Sequence, residues 1–256
     1  MPKFGVIWDW SSPMVNPFNA FRTYTAPQRE IPLDRILAQR DQVLQQLLQS
    51  YQAFAEEERT QLVWVVEQGA LSRAYTTAVE ALEGIKFTVE DIEDVCLELD
   101  TANGVVSPLG APSGLFIAAM CNRVTEHEIT LDVRPLARRW PFLGYRLPRG
   151  RRLHLEGDVG DFTGALLEGG EVTVNGNAGN YTGIGMHAGR LQIAYSCGTH
   201  TGEGMRGGLL RVQGRIAGLG RVKDGTVYEG GRQVFPEGED ELSEHVVSPR
   251  AEKRAT

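Results

Sequence analysis

The sequence is short of cysteine, of basic charge and of long apolar runs, and each shortage removes a class of protein. Three cysteines among 256 residues, Cys96, Cys121 and Cys197, are widely spaced and form no C-x-x-C pair. Such a set supplies neither a disulfide framework nor a cysteine-rich zinc or iron–sulfur motif, and it fits a reducing compartment. Lysine and arginine number 26 against 33 aspartates and glutamates. The resulting net charge of −7 argues against a general nucleic-acid binder. The longest apolar run, "LFIAAMC" from Leu115 to Cys121, is far below the about 20 residues of a membrane span and reads as a buried helix. The opening "MPKFGVIWDW" meets Asp9 too early for a signal peptide. A cytoplasmic protein is expected, with no membrane or nucleic-acid partner.

Glycine is the residue in excess, with 30 copies crowded towards the second half. Before them the pattern is helical. Residues 1–30 are rich in aromatics and proline and read as an irregular segment. Residues 31–123 read as a helical domain or cap. From Leu33 to Phe54 apolar residues recur at spacings of three and four, so they share one face. A second helical stretch, roughly Glu58 to Leu82, ends where Gly84 suits a C-cap. Thr88 caps a third, "TVEDIEDVCLEL", which puts Ile92, Val95, Cys96 and Leu99 on one side. "SPLGAPSG" has the composition of a loop and leads into the "LFIAAMC" helix. The acidic, aperiodic end, 236–256, reads as a disordered tail.

From about Thr125 the period changes to two, and then a longer one emerges. Residues 152–170 read "RLHLEGDVGDFTGALLEGG", 171–189 "EVTVNGNAGNYTGIGMHAG" and 190–208 "RLQIAYSCGTHTGEGMRGG". A fourth row opens at Leu209 and shortens. Leu153, Val172, Leu191 and Leu210 fall in one column, and Leu155, Val174, Ile193 and Val212 in another. Leu167, Met186 and Met205 form a third. Gapless repetition at this length predicts a solenoid: each row is one coil, opened by a short strand with two inward side chains, and stacked rows share one core. Glycine turns the corners, some at positive φ. "GEGMRG", Gly202 to Gly207, fits G-x-G-x-x-G, but that motif needs a helix after it. Here the next segment is another strand, so a phosphate loop is not expected.

Rows of this kind, with "GDVGDFTGALLEGG", "GNAGNYTGIGMHAG" and "CGTHTGEGMRGG", resemble the GXGXG family over roughly residues 125–233. That domain ends the large chain of glutamate synthase and forms the core of one component of formylmethanofuran dehydrogenase. The expected fold is α+β, with the helical segment ahead of a β-helix of 19-residue coils over residues 124–235, and the resemblance implies that this β-helix is right-handed and parallel. It also implies a structural role beside redox subunits, with no catalytic, cofactor-binding or metal residue carried over and no cofactor of its own. The expected function is a non-catalytic assembly subunit that docks to partner subunits of an oxidoreductase complex or to copies of itself. The alternative is an essential subunit that helps to frame a cofactor site. Tyr195 departs from the pattern by standing in a glycine column with Gly157, Gly176 and Gly214.

Chemistry-bearing residues are few. Cys197 shares a small apolar column with Val159, Ala178 and Ile216 and reads as a buried, inert thiol. His200 shares a column with Phe162 and Tyr181 and reads as a stacked ring; His187 reads as a polar corner, and His154 should face outward. The candidate docking set is Arg134, Arg138, Arg139, Arg146, Arg149, Arg151 and Arg152, a run that includes no acid. Two readings stand open: an exposed edge paired to the acidic helices, or a surface for an acidic partner or an anionic cofactor. The solenoid's open ends also need covering. "SPLGAPSGLFIAAMC" is expected over the first coil, and Thr226 to Phe235 at the last.

Overall fold

The computed structural model describes residues 33–59, 68–101 and 111–236. Two expectations, the aromatic segment 1–30 and the tail, therefore lie outside the described residues, Pro236 excepted. Four helices, α1 (Leu33–Arg59), α2 (Gln68–Ala81), α3 (Val89–Thr101) and α4 (Ala111–Arg123), precede seven strands. These are β1 (Glu128–Asp132), β2 (Arg152–Glu156), β3 (Glu168–Asn175), β4 (Ala188–Ile193), β5 (Arg206–Val212), β6 (Asp224–Glu229) and β7 (Arg232–Phe235). The chain divides into two compact units, Met1–Gln39 and Arg40–Thr256, and the solenoid and the helices on it belong to the second.

The helices form where the patterns place them, with two differences. Leu47, Tyr51 and Phe54 bury one face of α1, and Phe54 and Tyr51 close on Phe116 of α4. The expected second helix is narrower: α2 begins at Gln68, and Leu62, Val65 and Val66 lie outside the described residues. It ends before Gly84, at φ +78°. α3 starts on a reciprocal cap. Asp91 Oδ2 accepts the Thr88 amide at 2.8 Å, and Thr88 Oγ1 accepts the Asp91 amide at 3.4 Å. Ile92, Val95, Cys96 and Leu99 are all buried. The second difference is at "SPLGAPSG", read as a loop: Ala111 to Gly114 are already α4. A proline in the first turn removes only an N–H that has no intrahelical acceptor, so composition misleads there. Gly114 is needed because a Cβ would overlap the Pro141 carbonyl.

β1 to β6 stack in parallel and in sequence order. Leu153, Val172, Leu191 and Leu210 are in register, as are Leu155, Val174, Ile193 and Val212, and none is accessible. Rungs between β2 and β5 are nineteen residues apart. The first coil is longer, with Glu128 under Arg152, and the last shorter, with Leu209 beside Thr226. The extra residues of the first coil lie mostly between Val133 and Pro141. Asp100 of α3 accepts the amides of Ala137 and Arg138 there, at 2.7 and 3.2 Å.

Both ends are covered. Leu115 to Cys121 are buried throughout, and the Asn122 side chain donates to the Tyr145 carbonyl of the first coil at 3.0 Å. α3 adds a cover that the sequence reading omits: Glu93 accepts the Asp132 amide at 3.4 Å. At the far end β6 is still a parallel rung, and the closing element is β7 alone, antiparallel to it.

Candidate functional site

Each coil makes the same turn, and its geometry decides what the corner residues do. In successive coils the turn is Phe142–Leu147, Phe162–Leu167, Tyr181–Met186 and His200–Met205. The first, third and fifth residues of each turn have positive φ. Glycine fills every third position (Gly144, Gly164, Gly183 and Gly202), and Gly185 and Gly204 fill two of the fifths. Arg146 and Leu166 fill the other two, at φ 52° and 53°. The first position is always a ring: Phe142, Phe162, Tyr181 and His200 lie between φ 56° and 62°. These rings stack with centroids 4.7, 5.1 and 4.7 Å apart and planes within 7° of parallel. His200 is thus the last ring of an aromatic column, as its position predicts. Stacking covers both faces of Phe162 and Tyr181, while His200, which ends the column, stacks on Tyr181 and is exposed.

The second residue of the turn is a buried threonine that the sequence reading passed over. Thr163, Thr182 and Thr201 are fully buried, and each donates to the carbonyl three residues earlier, at 2.9, 2.8 and 3.0 Å. Two polar columns join the coils on the other side of the corner. Asp158 Oδ1 accepts the Asn177 amide at 2.8 Å, Asn177 Oδ1 the Ser196 amide at 3.1 Å, and Ser196 Oγ the Arg215 amide at 3.2 Å. Asp161 and Asn180 do the same for Asn180 and Thr199, at 2.7 and 2.9 Å. Each acceptor lies one rung below its donor, so these side chains hold the stack together.

Cys197 follows the same logic. It is buried in its column with Ala178 and Ile216, and burial pushes its thiol up to about 12. Burial likewise pushes Cys121 up to about 12 and raises Cys96. A reactive cysteine needs a lowered pKa and exposure, the opposite of all three. The glycines of "GEGMRG" run directly into β5, and no helix follows them. His154 points outward with Thr173, Gln192 and Arg211, its Nε2 3.5 Å from Glu128. His187 is exposed.

The seven arginines do not converge on one point. Arg134 grips Asp132 with two nitrogens at 2.8 and 2.7 Å. Arg139 pairs with Asp158 at 2.6 Å, Arg146 with Glu168 at 2.6 Å and Arg152 with Glu128 at 3.4 Å. Arg151 donates to the carbonyls of Cys121, Val124 and Glu126 at 3.2, 2.7 and 2.9 Å, which closes the C-terminal end of α4. Arg138 and Arg149 are exposed, and their side chains meet no partner among the described residues. The carboxylates that answer the cluster belong to the solenoid rather than to the helices. Pairing of this kind depends on which rung lies beneath which, so a linear charge run did not reveal it.

Arg146 also lines a cavity of about 270 Å³ between α2 and the first coils, with Tyr75, Thr76, Val79, Asn122, Pro148 and Glu168. The Asn122 amide donates to the Tyr75 hydroxyl at 2.7 Å. Tyr75 and Tyr145 rings lie 5.0 Å apart, and burial pushes the Tyr145 phenol up to about 12. The cavity therefore offers amide, phenol and an already neutralised cation, a set that can hold a small polar group but includes no thiol, hydroxyl–histidine pair or free carboxylate. Among the described residues no three His, Cys, Asp or Glu side chains come together as a metal site, and no helix is long and apolar enough to cross a membrane. No family model, curated protein or solved structure matches the chain.

Proposed function

We propose that this chain is a non-catalytic structural subunit, a GXGXG-type solenoid that docks to partner subunits of an oxidoreductase complex. The observation that supports the reading most is the use of polar side chains at the solenoid corners. Thr163, Thr182 and Thr201, and the acceptors Asp158, Asn177, Asp161 and Asn180, are each committed to a backbone group of their own coil or the next. Groups tied into the stack are not free to turn over substrate, so such a body contributes shape and surface. The test is purification of the full chain from its native host under gentle conditions, followed by native mass spectrometry. Co-purification of redox subunits in fixed stoichiometry is the expected result. A lone monomer with no associated subunit would overturn the proposal.

One observation favours a second reading, that of a subunit that helps to frame a cofactor. The cavity beside Arg146 places a guanidinium, a phenol and an amide at the junction of helices and solenoid. Flavin, molybdopterin or iron–sulfur absorption in the intact complex that declines when Arg146→Ala is introduced, with the subunits still associated, would select this reading over the first.

A further inference from the structure

The outward side chains of the solenoid sheet form columns, and one column alternates in charge. The register places Glu128 beside Arg152, Arg152 beside Glu171 and Glu171 beside Arg190. All four are exposed. β1 is the first strand of the sheet and Leu209 follows Arg190, so the ladder has four rungs and ends there. Within the chain it is only partly closed. Glu128 is reached by Arg152 at 3.4 Å and by His154 at 3.5 Å. Glu171 and Arg190 lie one rung apart, about 4.8 Å, yet neither forms an ion pair among the described residues. The other two outward columns carry little unanswered charge. Thr130, His154, Thr173 and Gln192 make up the second. Asp132, Glu156 and Asn175 make up the third, where Arg134 holds Asp132 and Glu156 accepts from Asn175 at 2.9 Å.

A ladder of alternating sign with an even number of rungs is complementary to itself when turned end for end. A two-fold axis along the strands, midway between β2 and β3, sets β1 against β4 of a second copy and β2 against β3. Glu128 then faces Arg190, and Arg152 faces Glu171, each pair occurring twice by symmetry. In the second column Thr130 faces Gln192 and His154 faces Thr173. In the third, Glu156 faces Asn175, and Asp132 faces Ala194, which follows Ile193 at the end of β4. No like charges meet. An odd number of rungs would set glutamate on glutamate. We propose that this sheet face, marked by Glu128, Arg152, Glu171 and Arg190, is the interface of a two-fold dimer of the chain. Four rungs of five residues cover roughly 19 Å by about 17 Å, or about 650 Å² over both copies. That is small for a permanent interface, so the dimer is reversible and depends on concentration. Exposed ion pairs are individually weak and screened by salt, and here they select register and partner. The inference goes beyond the assembly reading and stands whether or not redox subunits dock.

Sedimentation velocity of the full chain over a concentration series supplies the test. At low ionic strength the sedimentation coefficient should rise with concentration towards that of a dimer. The rise should disappear in about 1 M salt, where the screening length is about 3 Å. Glu171→Arg sets arginine against Arg152 twice across the axis, and Arg152→Glu sets glutamate against Glu171 twice. Each variant alone should dimerise about tenfold more weakly than the natural chain, or worse. Mixed in equal amounts, the two should regain the natural affinity to within about threefold, because every facing pair in the mixed dimer is again opposite in sign. Repair by mixing cannot arise inside one chain, so it separates an interface from a ladder that only steadies the stack. Should a reversal lower the melting temperature, Glu171→Gln and Arg152→Gln remove pairs without adding repulsion, and each should weaken dimerisation about threefold. A natural chain that stays monomeric at low salt up to about 0.5 mM overturns the proposal. So do variants that dimerise as tightly as the natural chain, or a mixture no tighter than the single variants.

Discussion

At the scale of single residues, glycines in this solenoid serve two different needs, and substitutions separate them. Gly179 has no positive φ, but a Cβ there would lie 2.7 Å from the Asp161 nitrogen and 2.8 Å from the Gly160 carbonyl carbon. Backbone cannot yield, so the coils must separate. Gly204 is the opposite case: its φ is +66° and nothing lies within 4 Å of the added carbon. Gly179→Ala should cost about 3 kcal/mol, at the upper end for overpacking. Gly204→Ala should cost only the left-handed penalty, about 1 kcal/mol. Thermal melts should therefore place Gly179→Ala well below Gly204→Ala, by roughly 4–8 °C for a chain of this size. Equal melting temperatures would show that coil spacing is not what Gly179 protects. The row pattern marks both positions alike, since both recur as glycine. Only the folded stack tells a close approach from a strained dihedral.

At the scale of an element, the corner columns act as units, and two predictions follow from their geometry. Tyr181 stacks on Phe162 and His200 while holding φ 56°. An aromatic pair contributes about 0.5–1.5 kcal/mol, and the left-handed backbone of a non-glycine residue costs about 1–2 kcal/mol. Tyr181→Gly should thus be more stable than Tyr181→Ala by about 1 kcal/mol in chemical denaturation, the reverse of the usual order in regular structure. The acceptor column predicts a pH effect. Asp158 has its pKa lowered, first by the Asn177 amide, then by the Asn177 side chain and Arg139, against the opposing effect of burial. A group depressed in the folded state stabilises above its unfolded value, near 4, and that contribution is lost as pH falls through the folded value. Asp158→Asn keeps the Oδ1 acceptor, as Asn177 does one rung on, and should flatten the loss of stability below about pH 4. An unchanged acid limb in pH-dependent melts would remove Asp158 from that role. Much of this was open to reading in the rows: Asp158, Asn177 and Ser196 align, as do Thr163, Thr182 and Thr201. What they bond was not, because a column names neighbours without saying which atom faces which. The first coil was less legible still, since its extra residues break the nineteen-residue grid between Val133 and Pro141.

At the scale of the whole molecule, a stack of equivalent rungs makes coil number adjustable while coil length is fixed. Excision of Glu171–Gly189 removes one complete unit. It would bring Leu153 under Leu191 and Leu155 under Ile193, with the alternation inward and outward preserved. Asp161 would face the Thr199 amide in place of Asn180, and Asp158 the Ser196 amide in place of Asn177. Phe162 would stack on His200, with Tyr181 removed between them. The inward, acceptor and ring columns close again on residues of the same kind, Tyr195 comes to follow Gly157 in place of Gly176, and neither α4 at one end nor β7 at the other is touched. Excision of eighteen residues, Glu171–Ala188, shifts every later strand by one and turns its inward side chains to the outside. The nineteen-residue deletion should fold to a cooperative, shorter solenoid with native-like circular dichroism and a lower melting temperature, since neighbour interfaces contribute to stability additively. The eighteen-residue deletion should lose cooperative unfolding altogether. If both deletions fold equally well, the inward columns are not what sets the register; if neither folds, the coils depend on more than their immediate neighbours.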